Sequence, residues 1–190
     1  MNYLILNGSP KTDGLCHSVT QEIIRGAKDG GAEVTVLTPS EIGIQRCHCC
    51  DDGWGACYDK HYCTHGEDGF NEAQKAVGQA DALCIISPVY WHETSEPLKA
   101  LMDRLRRCEN WFYDNVGSLT GKPVLLAAVP GGGGSGTLFC LEQMSRFCDH
   151  TKAVVFDHIG VNRWNADYKR VAAYHAAKAM AEGRKPGDTV

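Results

Sequence analysis

Apolar and polar positions along the chain fall into five short apolar runs, each followed by a stretch of helical period. Tyr3-Leu4-Ile5-Leu6 is apolar and uncharged, as expected of a strand buried on both faces. After Asn7-Gly8-Ser9-Pro10, apolar residues recur at Val19, Ile23, Ile24 and Ala27, which predicts a helix ending at Gly30-Gly31. Glu33 to Leu37 reads as a second strand, and Glu67 to Gln79 as a helix with Phe70, Ala73, Ala76 and Val77 on one side. Ala82 to Ile86 is the clearest central strand, stopping at Ser87-Pro88. Ser95 opens a helix through Arg107, with Leu98, Leu101, Met102 and Leu105 forming one stripe. Asn110 to Gly121 reads as a loop, Lys122 to Val129 as a fourth strand, and Thr137 to Asp149 as a helix. A fifth strand starts at Ala153-Val154-Val155-Phe156, a last helix runs from Asp167 to Glu182, and Gly183 to Val190 is a tail.

Strand and helix therefore alternate five times, which implies a parallel sheet with helices on both faces. For five strands in a chain of this length, the expected fold is α/β and flavodoxin-like, with strand order 2-1-3-4-5. The whole chain, 1–190, is expected to be one domain, with a cysteine-rich insertion at about 45–66. Ligands in such sheets sit at the carboxyl ends of the strands, where the strand order switches.

Composition narrows the function classes. Lysine and arginine number 19 against 23 acidic residues, a net charge of -4, which argues against a nucleic-acid partner. No apolar run approaches the roughly 20 residues of a membrane helix. No basic region followed by an apolar stretch opens the chain, so the expectation is a cytoplasmic protein. Ten cysteines without an export signal suggest free thiols or metal ligation rather than a disulfide framework.

Three loops should share the carboxyl edge. The first, after Leu6, joins a strand to a helix N-terminus through small residues, with hydroxyls at Ser9, Thr12 and Ser18 and a cation at Lys11. Loop N–H groups and a helix dipole make such a junction a phosphate cradle, although an ordinary turn has the same composition. The second, Ser87-Pro88-Val89-Tyr90-Trp91-His92, places two large aromatics at the edge. The third, Gly131 to Gly136, lets backbone approach a ligand closely. A phosphate site, an aromatic wall and a bare backbone loop together suit a flat ring with a phosphate tail, such as FMN.

These loops carry a family resemblance. Gly8-Ser9-Pro10-Lys11 followed by Gly14 is similar to the GSPR opening of NAD(P)H-dependent FMN reductases. Ser87-Pro88-Val89-Tyr90-Trp91, then Lys99-Ala100-Leu101-Met102-Asp103-Arg104, resembles the SPVY…KAxxDR segment of that family, and Pro130-Gly131-Gly132-Gly133 its third loop. The resemblance implies a flavodoxin-like fold, non-covalent FMN, NAD(P)H as co-substrate and a small-molecule electron acceptor, in homodimers or homotetramers. It places Ser9, Lys11, Leu15, Cys16 and His17 around the phosphate, Pro88, Val89, Tyr90 and Trp91 along the isoalloxazine ring, and Gly131 and Gly132 at its other edge. Lys11 replaces the usual Arg, and Leu15 and Cys16 replace the usual Asn and Ser/Thr. Hydride transfer is the flavin's chemistry, so no catalytic side chain is expected. Lys99, Asp103 and Arg104 read as a surface pair or an interface.

Between the second strand and the next helix, Cys47, Cys49, Cys50, Cys57 and Cys63 fall close together. The run Cys47-x2-Cys50-x6-Cys57-x5-Cys63, followed by Glu67-Asp68, resembles the iron-sulfur flavoprotein branch of the family, with looser spacing. Thiolates at such intervals can hold a [4Fe–4S] cluster or zinc, and the same loop could equally be reduced thiols beside the flavin or part of a dimer interface. Trp54-Gly55 suggests a packed turn within it. Cys16, Cys84, Cys108, Cys140 and Cys148 read as small buried hydrophobes. The expected function is FMN-dependent transfer of hydride from NAD(P)H to a quinone, a nitro or azo aromatic, or a flavin. The alternatives are an iron-sulfur electron carrier with a ferredoxin-type partner and, last, a redox-sensing binding module.

Overall fold

A computed structural model of the chain describes residues 1–109 and 117–185. Part of the expected loop at 110–121 and the end of the expected tail lie outside the described residues. Strands β1 (Asn2–Asn7), β2 (Glu33–Leu37), β3 (Ala82–Pro88), β4 (Pro123–Val129) and β5 (Val154–Gly160) form one sheet. Its order is β2-β1-β3-β4-β5 and every pairing is parallel, as the alternation predicts. Helices α1 (Gly14–Asp29), α2 (Ala56–Asp59), α3 (Phe70–Gln79), α4 (Glu96–Cys108), α5 (Thr137–Thr151) and α6 (Ala166–Ala181) complete the described residues.

Side chains alternate across the central strands and so divide the core in two. Leu4, Leu6, Leu83, Ile85, Val124 and Leu126 face α3, α4 and α5, meeting Phe70, Val77, Leu98, Leu101, Leu105 and Met144. Tyr3, Ile5, Cys84, Ile86, Leu125 and Ala127 face α1 and α6, meeting Val19, Ile23, Ala27, Ala173 and Ala177. The five cysteines read as hydrophobes are all buried. Burial pushes the Cys16 thiol up to about 11 and the Cys148 thiol up to about 12, so these sulfurs stay neutral.

Two local differences from the expected elements bear on the site. Helix α3 begins at Phe70 rather than Glu67, because the Asp68 carboxylate accepts the backbone N–H groups of Gln45 (2.8 Å) and Phe70 (3.2 Å). The residues before Phe70 are thereby drawn out of the helix and towards the cysteine loop. Ser95 stands at the N-cap of α4, yet its hydroxyl makes no capping bond. It donates instead to the Gly8 carbonyl, 2.6 Å away across the sheet edge. No helix among the described residues is long and apolar enough to cross a membrane.

Candidate functional site

The register brings three loops to one edge. Asn7 pairs with Ile86, and Pro88 pairs with Val129, so β1, β3 and β4 release their chains side by side. The Gly8 N–H donates to the Ile86 carbonyl at 2.7 Å, and the Val89 N–H to the Val129 carbonyl at 3.3 Å. Gly8 has no room for a side chain: a Cβ there would lie 2.9 Å from both Leu98 and the Ser95 hydroxyl.

In the first loop, buried Ser9 donates its N–H to Asn7 Oδ1 (3.1 Å), and its hydroxyl accepts the Lys11 N–H (3.2 Å). This folds the loop tightly and leaves the Lys11 side chain outside. Asp13 at the N-cap of α1 makes no side-chain bond to the helix, and no acidic residue stands in the first turn. The first-turn N–H groups, with Leu15, Cys16 and His17 among their residues, thus carry no side-chain cap, and the positive end of a 16-residue helix faces the loop. The Cys16 thiol is part of the core beneath the loop, close to Ser9, and the Ser18 hydroxyl donates back to the Leu15 carbonyl (2.9 Å). At these two positions only backbone is on offer to an anion.

The second loop is a two-residue hairpin. Tyr90 and Glu93 exchange both N–H···O bonds at 2.9 Å, and Trp91 and His92 between them adopt φ of 48° and 69°. Left-handed backbone at two adjacent non-glycine residues is strained, and such strain collects at functional turns. It leaves Trp91 97% exposed and Tyr90 exposed, so neither is a core residue. Pro88 and Val89 lie half-buried behind them, Val89 against the core. His92 turns back towards the third loop. Its Nε2 lies 3.0 Å from the Ser135 hydroxyl, and its ring stacks on Phe139 at 5.4 Å between centroids. Gly136 has φ of 81° and sits so close that a Cβ would lie 2.6 Å from the His92 ring. Among the described residues nothing lies within 4 Å of a Cβ position at Gly131 or Gly132, so their backbone is open to an approaching group.

Four residues of this edge escape sequence reasoning: Ser95, His92, Asn162 and Trp164. Asn162 lies after β5 and accepts the N–H groups of Trp164 (2.9 Å) and Asn165 (3.1 Å), an arrangement that holds Trp164 81% exposed beside Gly133. The only signals were a histidine after an aromatic pair and a tryptophan between asparagines. A cleft of about 300 Å³ beside the hairpin is lined by Trp91, His92, Glu93, Phe139 and Arg146 among others. A depression of about 460 Å³ lies at the opposite, amino-terminal end of the sheet, beside Asn2, Glu33 and Gln79.

The cysteine loop, which includes α2, packs on α4. Cys47, Cys49, Cys50, Cys57 and Cys63 line one cleft of about 140 Å³, together with His48, His65, Arg104, Arg106 and Arg107. That is room for several waters at about 30 Å³ each. Among the described residues no three His, Cys, Asp or Glu side chains come close enough to hold a metal ion. Instead the thiols meet guanidinium groups: Arg104 Nη2 donates to Cys63 Sγ at 3.4 Å. Within the loop, Cys49, Asp51 and Asp52 take left-handed backbone. Trp54 stands 63% exposed, edge-on to Tyr58, and Gly55 is the residue that packs, against Cys50.

Arg104 overturns the surface reading of its motif. Lys99 and Asp103 do form a half-buried pair at 2.6 Å, but the Arg104 side chain is 1% exposed. It pairs with Asp68, donates to the carbonyls of Gln45 (3.2 Å) and His65 (2.9 Å), and stacks on the Phe70 ring 4.0 Å away. Helical spacing places Asp103 and Arg104 100° apart on α4, so one faces water and the other the loop. Burial pushes the Asp68 carboxyl up, but Arg104 and two backbone N–H groups outweigh it and hold the carboxyl below its usual range.

The sequence profile of the NADPH-dependent FMN reductases matches residues 1–166. The chain belongs to that family. An iron-sulfur flavoprotein of Methanosarcina thermophila is 27% identical over 164 residues, spanning 84% of this chain and 81% of its own. One from Methanocaldococcus jannaschii is 30% identical over 142 residues, 75% of this chain and 68% of its own. The fold is similar to that of an NAD(P)H:quinone oxidoreductase from Methanothermobacter marburgensis, with a TM-score of 0.71 at 16% identity over 95% of this chain and 96% of that one. It is also similar to a WrbA-like flavodoxin from Agrobacterium tumefaciens, with a TM-score of 0.60 at 13% identity over 97% and 99%. As a member of this flavodoxin-like oxidoreductase family, the chain is an FMN-binding flavoprotein.

Proposed function

We propose that the carboxyl-edge loops hold FMN and that the protein transfers hydride from NAD(P)H to a small acceptor such as a quinone, a nitro or azo aromatic, or a flavin. The observation that carries this reading is the fastening of the three loops to one another. Ser95 ties the first to the third strand's helix, and His92 ties the aromatic hairpin to the glycine loop. A preorganised edge of this kind spends little ordering free energy on its ligand.

The residues fit the group. Ser9, Lys11 and the uncapped N–H groups at Leu15, Cys16 and His17 meet the phosphate. Pro88, Val89, Tyr90 and Trp91 flank the ring, and the open backbone of Gly131 and Gly132 meets its other edge. When bound, FMN supplies the hydride-accepting and hydride-donating ring chemistry. The chain's own part is to bind, orient and shield. Lys11 contributes a point charge rather than an arginine fork, so phosphate orientation falls to the backbone N–H groups. A homodimer or homotetramer belongs to the same proposal, with exposed Trp91, Leu138 and Phe139 as apolar surface for it to cover. The test is anaerobic: flavin-loaded protein mixed with NADH or NADPH should bleach and regain colour when a quinone is added. Flavin absorbance unchanged by either nicotinamide overturns the proposal.

The cysteine cleft supports a second reading, an iron-sulfur flavoprotein passing electrons to a ferredoxin-type protein. The donor set is thiol-rich, with Cys47, Cys57 and Cys63 half-buried and Cys49 and Cys50 exposed, and relatives at 27% and 30% identity bear the name iron-sulfur flavoprotein. Cys47, Cys50, Cys57 and Cys63 are the ligands this reading assigns. Iron and sulfide analysis of anaerobically prepared protein decides it.

A further inference from the structure

Helix α4 carries Arg104, Arg106 and Arg107, and all three line the cysteine cleft. Among the described residues no aspartate or glutamate lines it. Asp68 pairs with Arg104, Asp103 lies 3.6 Å from Arg106, and Arg107 donates to the Gly53 carbonyl within the loop. The cleft is therefore lined by loop thiols and by guanidinium groups of α4, in direct contact where Arg104 meets Cys63. Two buried nitrogens of its lining, Arg104 Nε and His65 Nε2, have no hydrogen-bond partner among the described residues. Buried N–H donors rarely stay idle in a finished site, and both could donate to an acceptor placed in the cleft.

We infer that Arg104, Arg106 and Arg107 form a cationic wall that compensates a thiolate-bound iron-sulfur core in this cleft and raises its reduction potential. The inference rests on the iron-sulfur reading of the cysteine loop. Adding one electron to such a core adds one negative charge and no proton. Fixed positive charge and N–H donors at the sulfurs both favour that reduced state. The arginines of α4 are thus assigned a task that neither the fold nor the flavin edge requires of them.

The experiment uses full-length protein prepared without oxygen: wild type, Arg107→Gln, Arg107→Lys, Arg106→Gln and Arg25→Gln. Arg25 is a control, since it lies on α1 over Tyr174, on the other face of the sheet. Iron and acid-labile sulfide are measured first, followed by a dithionite titration read by electron paramagnetic resonance. Wild type should hold about four iron per chain. In Arg107→Gln the ratio of reduced to oxidised core at a fixed potential should fall about tenfold, a downward shift of about 59 mV for one electron. Arg106, more exposed, should give a smaller shift in the same direction. Arg107→Lys and Arg25→Gln should titrate like wild type. Loss of iron from Arg107→Gln with an unchanged unfolding midpoint also supports the wall, with Arg106→Gln then reporting the potential. Full iron content with an unshifted midpoint in Arg107→Gln and Arg106→Gln overturns the inference and leaves the cluster standing. Wild type without iron and sulfide overturns both.

Discussion

Two regions of this molecule gather polar groups, one at the carboxyl edge of the sheet and one in the cysteine loop, and different forces hold them. At the edge, regular elements do the placing. Strand register sets Gly8, Pro88 and Val129 side by side, and short bonds from Ser95 and His92 lock the loops that follow. The cysteine loop has only one 3₁₀ turn and one four-residue helix. It is held from beneath by the Arg104–Asp68 pair and by carbonyls that Arg104 collects from Gln45 and His65. The edge should therefore tolerate loss of single contacts, whereas the loop should depend on one side chain.

The largest expected effect breaks the loop. Arg104→Met leaves Asp68, whose side chain is 3% exposed, as a buried carboxylate without its cation. Removing one partner of a buried pair costs about 3–5 kcal/mol, to be read by urea unfolding at pH 7. The pH dependence follows from the sign of the Asp68 shift. Its folded-state pKa is depressed, so in wild type its contribution is present above the unfolded value of about 3.9 and fades as pH falls through the folded value. In Arg104→Met the two backbone N–H bonds stay but the guanidinium is gone, so the balance tips towards burial and the pKa rises relative to wild type; the gap between variant and wild type should therefore narrow on acidification from pH 7. A gap that stays constant would show that Asp68 is not the group left behind.

A smaller loss is expected at the edge from Gly136→Ala. The residue would be forced into left-handed backbone, at about 1–2 kcal/mol, and its Cβ would press on His92. Thermal unfolding should drop, and flavin affinity should drop with it because two loops lose their fastening. Gly132→Val separates these effects. Its side chain meets open space, so stability should stay within about 0.5 kcal/mol. Flavin affinity should nevertheless fall about tenfold, about 1.4 kcal/mol, because the backbone is no longer bare. The smallest effect belongs to Lys99→Ala, five positions from Arg104. Loss of that half-buried i,i+4 pair with Asp103 should change unfolding by only about 0.3–0.5 kcal/mol.

The same contrast explains what was legible in the chain. Apolar runs such as Leu4-Ile5-Leu6 report their burial directly, so strand order and the three edge loops could be read in advance. Tyr90 and Trp91 were legible as edge aromatics, but not the left-handed turn that turns Trp91 outward, because φ is set by the Tyr90–Glu93 bonds. Ser95 looked like an N-cap, and only the sheet crossing shows that its hydroxyl serves Gly8. The burial of Arg104 is not legible because its hydrogen-bond partners lie 36 to 59 positions away in sequence. No local period encodes such contacts, and a helix rich in charge looks solvated until the loop that covers it is in place.

A paired titration tests most directly whether the first loop acts as a phosphate cradle. Protein stripped of flavin is titrated with FMN and with riboflavin, which differ by the phosphate alone, and flavin fluorescence is followed. FMN should bind at about one per chain and more than about tenfold tighter than riboflavin, with the difference shrinking in Lys11→Ala. Equal affinity for the two flavins would contradict it.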